Sequence, residues 1–266
     1  MNDVPDVEKA DFIIAVANAA GREGDIEFLE KLLALNPGSI KNVGIQSFAR
    51  SVNGREGIEE VLALVSEEML PEEKEATWKG LISPMLHLSG KELASLHESG
   101  VIPEEFGERV ELVVGVNLGN TPPDQAQSII EGYPSEMQER IETTYWRQLV
   151  ASNPDMARRA FDAGNVPKTS WISVGRGVVD EIIRDESLDA ALRYSLDRIN
   201  NEQQEALANY VFDLWMKNDS ITASEKASQL PSGPALNGAA KAIALRLEKL
   251  GDHQAADQWR SLIQPE

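Results

Sequence analysis

The chain contains no cysteine, which excludes disulfides, thiol nucleophiles and cysteine-ligated zinc. It has three histidines, His87, His97 and His253, too scattered for a ligand set, and no acidic residue stands at the spacing of a zincin helix. No metal site and no cofactor are expected. No apolar run approaches the roughly 20 residues of a membrane helix, so no bilayer span is expected and the chain reads as soluble. The opening MNDVPDVEKADF lacks the basic and apolar regions of a secretory leader, so the chain as written reads as cytoplasmic. Lack of cysteine does not fix the compartment, and the location is periplasmic instead if a leader has been trimmed away. A serine nucleophile elbow is also missing. Gly175 and Gly177 in SVGRGVV form a lone G-x-G that reads as close helix packing. The paired carboxylates Glu59-Glu60, Glu67-Glu68 and Glu72-Glu73 fall near helix ends and turns, where solvated faces and helix-start charges are expected. No catalytic residue is assigned.

Basic residues are scarce: 25 Lys and Arg stand against 44 Asp and Glu, a formal net charge of -19. A surface that neutralises phosphates needs clustered bases, so a nucleic-acid partner is not expected. The imbalance is uneven. Residues 1–139 hold 26 acids and 10 bases, residues 140–198 hold 9 of each, and residues 199–266 hold 9 acids and 6 bases.

What is present is a repeat. Ala157, Ala190, Ala223 and Ala256 stand 33 residues apart. Four residues before each comes a column read as helix N-caps: Asn153, Glu186, Asp219 and Asp252, with Asn120 one period earlier, before Asp124. Apolar columns keep the same step: Ile141, Val174, Leu207 and Ala240; Tyr145, Val178, Val211 and Ala244; Trp146, Val179, Phe212 and Leu245; Leu149, Ile182 and Trp215. Offsets of 0, 4 and 8 share one helix face, as burial of a single stripe requires. The alanines suit helix crossings. Turn signals such as GREGD, NGREG, LGNTPPD and KNDS divide the chain into helix pairs, with Pro84 expected to kink the first helix of the third pair and Ser135 with Gln138 at capping-box spacing. The expected fold is all-α, an α-α superhelix (solenoid) of about eight antiparallel helical hairpins with a 33-residue period. It is read as one domain over 1–266, with looser repeats in 1–119 and regular ones in 120–266.

Ala157 with Phe161, and Ala190 with Tyr194, resemble the second helix of tetratricopeptide repeats. Asp252, Ala255, Ala256 and Trp259, with fragments at Ala190-Ala191 and Leu230-Pro231, resemble degenerate bacterial α-solenoid repeats of the tetratricopeptide-like or HEAT-like kind. The likeness covers about 120–263. It implies a protein-binding scaffold and no chemistry.

The candidate surface is basic. Arg140, Arg147, Arg176 and Arg184 fall on the side of their helices opposite the apolar columns and coincide with the one neutral stretch of the chain. Two readings stand: a partner-facing stripe, or a solvated face paired to Glu142, Asp180 and Glu181. Of five tryptophans, Trp78 and Trp146 read as core, whereas Trp171, opening a helix four residues before Gly175, is the candidate for part exposure and joins the partner-binding set. The expected function is a non-enzymatic protein-protein interaction scaffold whose partner is a protein or peptide, acidic or carboxylate-bearing because arginine forks suit carboxylates. The alternative is an enzyme or enzyme-regulatory domain with a site built from scattered residues in the groove. The sequence leaves the oligomeric state unknown.

Overall fold

A computed structural model describes residues 6–65, 69–198 and 200–264. The first five residues of the opening and the pair Glu67-Glu68 lie outside them. The described residues form sixteen α-helices, two short 3-10 turns and no strand. Long and short helices alternate without exception. The long ones are α1 (Asp6–Glu23), α3 (Ser39–Ser51), α5 (Pro71–Leu86), α7 (Gly107–Asn117), α9 (Ser135–Ser152), α11 (Lys168–Asp185), α13 (Asn201–Asn218) and α15 (Pro234–Lys249), of 11 to 18 residues. Between them stand α2 (Ile26–Leu33), α4 (Gly54–Ala63), α6 (Gly90–Glu98), α8 (Pro123–Ile130), α10 (Pro154–Asp162), α12 (Leu188–Leu196), α14 (Ser220–Ser228) and α16 (His253–Arg260), of 8 to 10 residues.

The chain divides into two compact units, residues 1–148 and 149–266, with the division inside α9. In the first unit α1 packs on α3, α3 on α5 and α5 on α7, while α2 and α4 each pack against the long helix that follows. In the second, α11 packs on α13 and α13 on α15, with α10, α12 and α14 filling in the same way.

Each helix forms for local reasons. Side-chain caps are supplied by Asn153 to Met156 N, Asp219 to Thr222 N and Asp252 to Ala255 N. Two members of the expected column fail. Ser187 caps α12, accepting from Ala190 N at 3.1 Å, while Glu186 ends α11. A short hydroxyl folds back onto the first turn where a longer carboxylate side chain is a poor cap. Asn120 closes the 3-10 turn Leu118–Asn120, and α8 starts at Pro123 after Pro122 with no side-chain cap. Ser135 is the first residue of α9, and the Gln138 amide donates back to the Tyr133 carbonyl at 2.7 Å instead of completing a capping box. Helix α5 runs through Pro84 to Leu86.

The apolar columns are core. All members named above are buried, as are the four alanines, except Leu245, which is exposed. Trp78, Trp146, Trp171 and Trp215 are buried, so Trp171, expected to be part-exposed, belongs to the core of the second unit.

Closest approach between long helices is set by glycine. A methyl group built on Gly21 of α1 would lie 2.4 Å from the Phe48 carbonyl of α3, and one on Gly80 of α5 would lie 2.5 Å from Ala49 Cβ. On Gly115 of α7 it meets Thr144 Cβ at 2.5 Å, on Gly177 of α11 Val150 Cγ1 at 2.2 Å, and on Gly238 of α15 the Glu205 carbonyl of α13 at 2.2 Å. Close packing was expected for Gly175 and Gly177 alone. The structure extends it to five of the long helices.

Candidate functional site

The four arginines of the expected stripe have different surroundings. In the first unit, Arg140 is taken up by α7. Its Nη2 donates to Glu111 Oε1 at 2.7 Å, its Nε pairs with Glu111 Oε2, and Glu108 lies 3.9 Å away. Those contacts raise the Arg140 pKa, the hydrogen bond to Glu111 contributing most. Arg147 is exposed. In the second unit, the Arg184 Nε lies 3.3 Å from Asp185, and Arg176 stacks 5.1 Å from the ring centre of Tyr210, whose hydroxyl donates to Asp180 Oδ1 at 2.9 Å. Of the carboxylates expected to neutralise the stripe, Asp180 accepts from a tyrosine, and burial raises the pKa of Glu142 and of Glu181, for Glu181 against the opposing charges of Arg158 and Arg184. Arg140 takes its partner from the preceding long helix and Arg176 stacks on the following one, relations that one helix wheel does not display.

A second arginine cluster lies on α10 and α12. Tyr194 is buried with Arg198 at 4.0 Å and Arg158 at 5.2 Å from its ring centre. Asp162 Oδ1 accepts from the Tyr194 hydroxyl at 2.7 Å and from Arg198 Nη1 at 2.6 Å. Burial, then the hydrogen bond to Asp162, raises the phenol pKa. The arrangement ties neighbouring short helices together.

The surface feature that stands apart is an apolar groove between α5 and α7, about 440 Å³ in volume. Trp78, Ile82 and Leu86 line it from α5, at helical spacing. Leu112, Val113 and Val116 face them from α7. Trp78 forms the floor, its ring 5.1 Å from Phe106. Three branched side chains remain in the open: Leu86 at 37%, Leu112 at 53% and Val116 at 38% exposure. Both ends are pinned. At one, Arg109 Nη1 donates to Glu75 Oε2 at 2.6 Å, with Lys79 3.5 Å from the same carboxylate and the Arg109 guanidinium 5.9 Å from the Trp78 ring. The hydrogen bond from Arg109 holds the Glu75 carboxyl below its ordinary pKa. At the other end, the Asn117 amide donates to the carbonyls of Leu86 at 3.1 Å and Leu88 at 2.6 Å. The walls are held apart by polar ties while the space between them stays apolar.

The sequence reading passed over this groove. Its signal was a second apolar strip on α7, Leu112 and Val116, outside the buried Val110, Val113 and Val114. In a helix with a core-facing stripe already satisfied, extra aliphatics four residues apart mark a second contact face.

Among the described residues no group of three or more acidic or histidine side chains is placed to hold a metal ion, and no helix is long and apolar enough to cross a membrane. Comparison with protein-family models, with curated proteins and with solved structures gives no match to this chain.

Proposed function

We propose that this chain is a non-enzymatic interaction scaffold built of 33-residue helical hairpins, of the tetratricopeptide-like or HEAT-like kind, and that the α5–α7 groove receives an apolar-faced segment of a protein partner. The repeat reading is supported by the alternation of long and short helices and by polar ties at about one period. Ser51 to Asn18 spans 33 residues, Arg109 to Glu75 spans 34 and Tyr194 to Asp162 spans 32.

The observation that carries the binding reading is the trio Leu86, Leu112 and Val116, left in water beside a pinned, apolar space. Aliphatic side chains clustered in a groove are a contact face awaiting a complement. From Glu75 to Leu86 the α5 wall runs about 16 Å at 1.5 Å per residue, room for about three turns of a partner helix presenting apolar residues at i, i+4 and i+7. Its flanks should be basic, because residues 1–139 carry 26 acids against 10 bases and Glu108 stands exposed one turn from Leu112. This partner differs from the acidic one expected of the arginine stripe, where Arg140 and Arg184 already have carboxylates.

Fluorescence anisotropy with two labelled helical peptides tests it, one carrying the leucine stripe on a lysine background and one with the same residues scrambled. The striped peptide should bind, and Leu112→Glu with Val116→Glu should abolish binding without changing helicity. Equal binding of both peptides, or survival of binding in the double variant, would remove the groove from consideration.

A further inference from the structure

A second depression in the first unit, about 420 Å³, lies where α1, α3 and α5 end. Its rim is made by Arg22, Arg50, Asn53, Ser83 and His87, all exposed, over a floor that includes the buried Val52 and Pro84. Among the described residues no carboxylate lines it. That is unusual in this unit, where residues 1–148 hold 27 acids and 12 bases. Lys31, Lys41, Arg55, Lys79, Arg109 and Arg140 each lie within ion-pair distance of a carboxylate. Arg22 and Arg50 have no such partner among the described residues, yet they share one concavity.

Each arginine sits in the last turn of its own helix, where a cation offsets the negative end of the helix dipole. A dipole role needs one cation per helix and does not call for two of them, with a histidine, to face one space. Like charges brought together without a counter-charge repel, and a carboxylate is the cheapest remedy in so acidic a unit. Its absence marks a place for an external anion.

We infer that this depression is an anion site for a phosphate monoester dianion. Two guanidinium forks match its charge and present planar paired donors to its oxygens. The His87 imidazole and the Ser83 hydroxyl add further donors from α5. The rim is positioned by Asn53, whose amide donates to the Arg22 carbonyl at 3.3 Å, and by Ser51, whose hydroxyl donates to Asn18 Oδ1 at 2.9 Å. A monocarboxylate would leave one fork unmatched. The depression is larger than phosphate alone, which leaves room for the organic group of an ester.

Isothermal titration calorimetry and thermal melts of the full chain at constant ionic strength test this, using inorganic phosphate, phenyl phosphate and the monoanionic dimethyl phosphate as probes. Inorganic and phenyl phosphate should bind saturably at one site and raise Tm, with dimethyl phosphate about tenfold weaker. Tighter binding of phenyl phosphate than of inorganic phosphate assigns an ester ligand, and the reverse order assigns the free ion and overturns the ester. Arg22→Gln with Arg50→Gln should weaken phosphate binding by more than about tenfold, while Arg147→Gln leaves it unchanged. Should the double variant misfold, Arg50→Lys serves in its place, since it keeps the charge, loses the fork and should still weaken binding severalfold. Phosphate that stabilises no better than chloride, or binding that survives in the Arg22/Arg50 variants, overturns the site.

Discussion

The Lys41 ammonium and the Glu73 carboxylate lie 2.7 Å apart with both side chains only 6% exposed. The pair is fully served. Lys41 Nζ also donates to the carbonyls of Leu33 at 2.5 Å and Leu35 at 3.0 Å, closing the end of α2, and Glu73 Oε2 accepts from Leu70 N at the start of α5. The sequence places Glu73 among solvated faces and helix-start charges. It is a helix-start charge, as its position suggests, but a buried one that joins three successive long-short pairs.

Removing one partner leaves the other charge buried alone. Lys41→Met should therefore lower the free energy of unfolding by about 3–5 kcal/mol in urea titration. Lys41→Met combined with Glu73→Leu should recover much of that loss, because two apolar groups replace the pair. A single variant as stable as the parent would show that water reaches the site.

Glycine at the helix crossings predicts a sign reversal within one chemical change. Gly238→Ala drives a methyl group into the Glu205 carbonyl and should cost about 1–3 kcal/mol. Gly107→Ala, at a helical position where a methyl group meets nothing within 4 Å, should stabilise by about 0.4–1 kcal/mol through the unfolded chain. Paired thermal melts decide it, and a common sign for the two would contradict the crossing geometry.

Capping separates neighbours. Ser187→Ala removes the acceptor for Ala190 N and should cost about 1 kcal/mol. Glu186→Ala should stay within about 0.5 kcal/mol of the parent. Equal effects in chemical denaturation would return the cap to Glu186.

Alkaline pH probes the tyrosines. Burial first, then the hydrogen bond to Asp180, pushes the Tyr210 phenol up from 10.0 to about 12, and burial raises Tyr133, Tyr145 and Tyr194 as well. Between those values the folded chain holds protons that the unfolded chain releases. The contribution to stability is whole below pH 10.0 and is lost as pH rises toward about 12. Tyrosinate absorbance should lag behind that of a denatured sample and then rise together with loss of helicity. Titration of all four near the ordinary value with the fold intact would be the contrary result.

Much of the helical core was legible because burial repeats. Ile141, Val174, Leu207 and Ala240 occupy one face at one step and are fully buried. What escaped depends on neighbours a third of a hundred residues away, which no local pattern encodes. Arg140 reads as free on its own helix and is held by Glu111 of the previous long helix. Leu245 keeps its column and is exposed. Glu186 and Ser187 differ by one residue in the sequence, and side-chain length decides between them. The α5–α7 groove and the Arg22–Arg50 depression were invisible for the same reason, since each is defined by what does not lie over it.

The polar ties between successive helices, from Arg140 with Glu111 to Arg55 with Ser95, close loops of only 29 to 40 residues. The entropy of closure is then modest and nearly equal along the chain. No long-range pairing has to wait for the whole polypeptide. Helices can consolidate on those already made while synthesis continues, and a cut in one connecting turn should release its neighbours while leaving distant helices folded.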